Sequence, residues 1–184
     1  MAELVKLHPT HALGGAVPLE EDIGACHLAE RARGLFSVAG AEVSGISGMA
    51  PPPGPGALAR DGDALGWWAG PQAWFLAAGA APDLPGAAVT DQSDGWLWLD
   101  LGGPPPLLEA ICARLCDVDV ARLSAAPFVP WSARSVIAHH GVWLLAPEAG
   151  QLALLGPRSS ARSLYHAVAE AARSVMAQET IPGR

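Results

Sequence analysis

Lysine is all but missing from this sequence: Lys6 is the single one in 184 residues. That removes the Schiff-base lysine and the P-loop lysine from the body of the chain. Charge of either sign is scarce, at 16% Asp, Glu, Lys and Arg, with a formal net charge of −7. It is also uneven, with four basic and ten acidic residues up to Gln92 and seven and eight from Ser93 onward. An acidic chain without a basic stripe argues against nucleic acid as a partner. Three cysteines, an odd number, do not form the framework of a secreted disulfide protein. No apolar run approaches the ~20 residues of a membrane span, and the N-terminus lacks a charged-then-apolar leader pattern. A soluble, cytoplasmic protein with no membrane partner is expected. Also missing are G-x-G-x-x-G after a strand, G-x-x-x-x-G-K-[ST], the G-x-S-x-G elbow, and any repeat of 20 to 50 residues.

Hydrophobic residues are plentiful, at 51%, and seven tryptophans stand against one tyrosine and three phenylalanines. Such an excess of indole either fills a core or covers a partner surface. The chain reads best from Val89 to Val120. Gly95 opens a strand, Trp96–Leu101, whose side chains alternate: Leu97, Leu99 and Leu101 on one face, Trp96, Trp98 and Asp100 on the other. Gly102-Gly103-Pro104-Pro105-Pro106 stops it, because prolines cannot donate to a ladder. From Leu107 the apolar spacing becomes helical through Leu108, Ile111, Cys112 and Leu115, and Pro106 falls near the first turn. The leucine face of the strand is the natural partner of the leucine face of the helix. Trp96 and Trp98 are left for a covering helix or a partner subunit.

Met1–Leu19 has little periodicity and reads as an extended arm before one domain over 20–184. Glu20-Glu21-Asp22 reads as a solvated acidic turn, Ile23–Ala32 as a strand and Leu35–Val43 as a short helix. Ala50–Arg60, with its Pro-Gly run, reads as a loop. Gly66–Ala69 and Gln72–Ala78 read as strands joined at Gly70-Pro71, with a break at Pro82–Gly86. Val120–Trp131 reads as irregular. Ala133–His139 and Val142–Ala146 form an antiparallel pair about His140-Gly141, and Gln151–Leu155 a further strand. A last helix runs from about Ser159 to Gln178, with Leu164, Val168, Ala171, Ala172 and Val175 inward. These elements predict an α+β fold with a mainly antiparallel sheet, helices packed on one face, and a second half in ferredoxin-like split order.

Candidate chemistry is sparse. His8 and His11 have no ligand-spaced cysteine or carboxylate nearby. Cys112 and Cys116, four apart, read as small apolar residues under the sheet. Cys26 and His27 are adjacent on a strand, so they point to opposite faces and cannot form a nucleophile–base couple. Asp91 and Asp94 lie in a Ser-containing turn where carboxylates bond their own backbone. Arg158, Arg162, His166 and Arg173 form a stripe on the last helix, suited to solvent, to a salt-bridged subunit contact or to a small-molecule anion, with Glu170 close by. No catalytic, cofactor-binding or metal residue is assigned. Trp96, Trp98, Arg158, Arg162 and Arg173 are the candidate subunit interface.

Three ordered stretches carry a family resemblance: "VTDQSDGWLWLDLGGP" followed by a helix and "LCDVDV", "WWAGPQAWFLAA" at 67–78, and "LLGPRSSARSLYHAVAEAA" at 154–172. Together they resemble the gamma subunit of heterotetrameric sarcosine oxidase. The resemblance implies a fold related to the folate-binding aminomethyltransferase-type domain. It implies a non-catalytic, cofactor-free structural subunit with alpha, beta and delta partners. In that family alpha holds NAD and a tetrahydrofolate-binding domain, FMN lies between alpha and beta, beta binds FAD and delta binds zinc. The complex demethylates sarcosine to glycine, producing hydrogen peroxide and passing the one-carbon unit to tetrahydrofolate. The run of three prolines at 104–106 and the loosely matching N-terminal third depart from the family pattern and leave other N-methyl amines open as substrates. A stand-alone folate-binding, aminomethyltransferase-like protein is the alternative.

Overall fold

The computed structural model describes residues 10–40 and 53–179. The expectations for His8, for the end of the 35–43 segment, for Pro51-Pro52 and for the Pro182-Gly183 tail lie outside those residues.

The strand–turn–helix unit forms as its alternation dictates. Strand β8 (Trp96–Gly102) sends Leu97, Leu99 and Leu101 into one core and Trp98 into another, all buried. Pro104 ends it, and helix α1 (Pro105–Cys112) follows with Leu107, Leu108, Ile111 and Cys112 buried against the leucines. The helix ends at Cys112, shorter than the spacing suggested, because the next amides tighten into i→i+3 bonds, Arg114 to Ile111 and Leu115 to Cys112. Cys116 therefore sits beyond the helix.

Around β8 the chain builds a six-stranded antiparallel sheet. Its order is β1 (Glu20–Ile23), β2 (Cys26–Arg31), β8, β11 (Gln151–Pro157), β10 (His140–Glu148), β9 (Trp131–Ile137). Helix α2 (Ala161–Glu179) packs beside α1 on the same face, burying Leu164, Val168, Ala171, Ala172 and Val175. Gly156 in β11 lets it approach closely, since a Cβ there would lie 2.2 Å from a Leu164 methyl. The expected α+β fold, antiparallel with helices on one face, is the fold adopted.

The other face is covered by a second antiparallel sheet. Its order is β4 (Leu58–Asp61), β5 (Ala64–Gly70), β6 (Ala73–Ala77), β3 (Leu35–Ala39), β7 (Ala88–Asp91). Trp67 of β5 is fully buried at its centre, with ring centroids 5.5 Å from Phe75, 6.4 Å from Trp98 and 6.3 Å from Trp143. This sheet is an insertion between β2 and β8, which are neighbours in the first sheet.

Several local expectations are corrected. Leu35–Ala39 is strand, not helix, because β6 and β7 flank it and take its backbone groups on both sides. Part of the 50–60 loop is β4, turned into β5 by the Gly62-Asp63 pair. Glu20–Asp22 belongs to β1, and Gly24, at φ +60°, makes the turn into β2. The β9–β10 turn lies at Ala138-His139, not His140-Gly141, with φ of +49° and +68°.

Candidate functional site

The chain crosses between the two sheets twice at one end, through Ala32–Gly34 on the way in and Gln92–Gly95 on the way back. The crossings are stitched together. The Gln92 amide donates to the Leu35 carbonyl (2.7 Å) and the Leu35 amide donates to Ser93 Oγ (3.0 Å). Ser93 is itself fixed by Asp91, whose Oδ1 accepts from the Ser93 amide (2.9 Å) and hydroxyl (2.5 Å). Those bonds, the hydroxyl first, hold the Asp91 carboxyl below its ordinary range. This is the Asx-type turn that the sequence implies.

Over the crossings lies the segment 10–19, anchored by one buried acid. Glu30 of β2 is 1% exposed. Its two oxygens accept from the Leu13 amide (3.0 Å) and the Leu19 amide (3.2 Å). The Arg158 guanidinium donates to the Thr10 carbonyl from the other side.

Between arm and crossings opens a cleft of about 580 Å³ whose lining includes His11, Glu30, Arg33, Trp96, Trp98 and Arg158. A second hollow of about 330 Å³ adjoins it and shares Arg31, Arg33 and Trp98. Arg31 is neutralised within the chain, by Glu20 (2.7 Å) and Asp100 (3.2 Å). The other Asp100 oxygen accepts from the Trp98 indole N–H at 2.7 Å, so Trp98 is buried with its polar edge satisfied. The Arg33 guanidinium lies over the Trp98 ring, 5.0 Å from its centroid. Trp96 meets Phe75 edge-on at 5.7 Å and turns part of its surface to the cleft.

Of the candidate interface residues, Trp96, Trp98 and Arg158 thus come together in one cleft. What covers Trp98 is the second sheet of the same chain rather than a helix. Arg162 and Arg173 lie elsewhere. Arg162 is exposed, and Arg173 pairs with Glu21 at 2.7 Å, the carboxylate that also accepts the Tyr165 hydroxyl. Glu21 therefore ties α2 to the edge strand β1. His27 pairs with Asp22 at 2.7 Å, facing away from buried Cys26. Burial pushes the Cys26 thiol up to about 11 and the Cys112 thiol up to about 12, which leaves both protonated near neutral pH. Among the described residues no group of three or more His, Cys, Asp or Glu is placed to hold a metal ion, and no helix is long and apolar enough to cross a membrane. Glu30, Arg31 and Arg33 escape sequence reasoning, since their partners are remote along the chain. The only local hint is the polar run Glu30-Arg31-Ala32-Arg33 at the end of an apolar strand.

No family model matches this chain, and no curated protein matches it. Its fold is similar to that of a solved structure, a heterotetrameric sarcosine oxidase from Corynebacterium sp. U-96 in complex with pyrrole 2-carboxylate. The identity is 21% and the TM-score 0.63, over 83% of this chain and 87% of that one. The likeness is one of fold, and it takes in most of both chains.

Proposed function

We propose that this chain is a structural subunit of a heterotetrameric, flavin-dependent amine oxidase, in the position that the gamma subunit holds in sarcosine oxidase. The observation that carries the reading is the shared fold over more than four fifths of both chains. The ordered sequence stretches at 67–78, 89–120 and 154–172 support it independently of the fold. On this reading the chain brings no catalytic residue and no cofactor of its own. FAD, FMN, NAD, zinc and tetrahydrofolate belong to alpha, beta and delta partners, and the assembly converts sarcosine, or a related N-methyl amine, to the demethylated amine with release of hydrogen peroxide. The chain's contribution is a preformed, rigid surface. Part of its charge is paired within the chain, as in the Glu21–Tyr165–Arg173 and Glu20–Arg31–Asp100 contacts.

The test is gentle purification of the tagged chain from its native host, followed by an absorbance spectrum and a mass measurement. A yellow complex with companion chains and flavin bands near ~450 nm, releasing peroxide when given sarcosine or another N-methyl amine, is the expected result. A colourless chain migrating alone would overturn the reading, and titration with tetrahydrofolate would then test the stand-alone folate-binding alternative.

A further inference from the structure

Of the three arginines that line the cleft, Arg33 and Arg158 stand out in a chain of net charge −7. Neither has a carboxylate partner among the described residues. Arg33 lies over Trp98 with one long bond (3.4 Å) to the Asp63 carbonyl, and Arg158 reaches only the Thr10 carbonyl. The neighbouring Arg31, by contrast, holds two carboxylates. The cleft also has an aromatic edge in half-buried Trp96, while Trp98, on the same side of β8, is buried under the second sheet with Arg33 over its ring. Its volume of about 580 Å³ falls within the range of small-molecule pockets, about 300–1,000 Å³.

From these features we propose that the cleft is a binding site for a small planar aromatic monocarboxylate. The ring lies against Trp96, and the carboxylate takes N–H donors from Arg33 and Arg158. A guanidinium stacked on an indole keeps its in-plane N–H edges free, which is the geometry a carboxylate needs. Two acids limit how much negative charge the site accepts. Glu30 lines the cleft with both oxygens already taken by backbone amides, and Asp94 sits exposed on the rim. Their presence favours one carboxylate over a di- or triphosphate. Thr10, His11, Ala12 and Ala16 of the arm line the cleft from the opposite side to the crossings. The site is built wholly from this chain and does not depend on the proposed oxidase role.

The experiment is calorimetric titration of the full chain with 2-naphthoate, with neutral 2-naphthamide, and with pyrophosphate. Single-site binding of naphthoate is expected, weakened roughly tenfold or more for naphthamide and for the Arg33→Ala variant, the loss of one charge-assisted bond. Arg33 is exposed, so its replacement leaves the core intact. Arg158→Gln serves as a second variant, expected to weaken binding to a similar degree. Equal affinity for naphthoate and naphthamide, absence of saturable heat with naphthoate, pyrophosphate binding more tightly than naphthoate, or both variants within about twofold of the parent would each overturn the proposal.

Discussion

Trp67 is fully buried and shares its surroundings with Phe75, Trp98 and Trp143. Removing it opens a void between two sheets that cannot close without breaking their strand registers. Trp67→Ala is expected to cost ~3–5 kcal/mol, seen as a lowered urea midpoint and a weakened near-ultraviolet aromatic signal. The Glu21 contact makes a pH prediction. Its carboxyl is held below the ordinary value of 4.5, first by the Tyr165 hydroxyl and then by Arg173. A carboxylate with a depressed folded value adds stability above its unfolded value and loses it as pH falls through the folded one. The urea midpoints of the parent and Tyr165→Phe should therefore differ most near neutrality and converge between about pH 5 and pH 3. Thiol chemistry gives a third outcome: with Ellman's reagent, half-buried Cys116 reacts first, while Cys26 and Cys112, raised by burial, react only on unfolding. Residue roles were readable from sequence where partners are close along the chain, as with Asp91 and Ser93. Glu30 was unreadable, because the amides it accepts from belong to an arm whose path no local pattern specifies.

At the scale of the element, the β9–β10 turn puts two successive non-glycine residues in the left-handed region, where the β5–β6 turn puts one, Gln72. Ala138 and His139 both occupy the left-handed region, which favours asparagine and glycine. The double substitution Ala138→Asn, His139→Gly should stabilise the protein by ~1–2 kcal/mol, read as a higher melting temperature with unchanged circular dichroism. The same turn shows how sequence reading slips. Gly141 drew the expected turn two residues along, whereas the pairing Ile137–His140 is set by which side chains face the helices. Long elements with a clean period were legible. These include β8, from its Leu/Trp alternation, and α2, from Leu164, Val168, Ala172 and Val175. Short strands were not. β4 and β7 have four residues each, too few to show a period, and β3 lacks any helical or alternating pattern strong enough to outweigh its neighbours. Their identity is conferred by the strands that flank them.

For the whole molecule, the difference between expectation and structure is one layer. Composition provided for it, since seven tryptophans exceed what a single-sheet core with helices on one side would absorb, and Trp67, Trp98 and Trp143 are all spent between the sheets. That layer is an insertion whose two ends are hydrogen-bonded to each other, Leu35 to Gln92 and Ser93. The consequence is kinetic. Arg31 cannot pair with Trp98 until everything between them has been brought into a closed loop, an entropic cost that slows strand docking. A second sheet that forms from its own hairpins draws those ends together and shortens the effective loop to a few residues. The inserted layer then acts as a clasp, and docking of the β1–β2 hairpin onto β8 is expected to follow its closure.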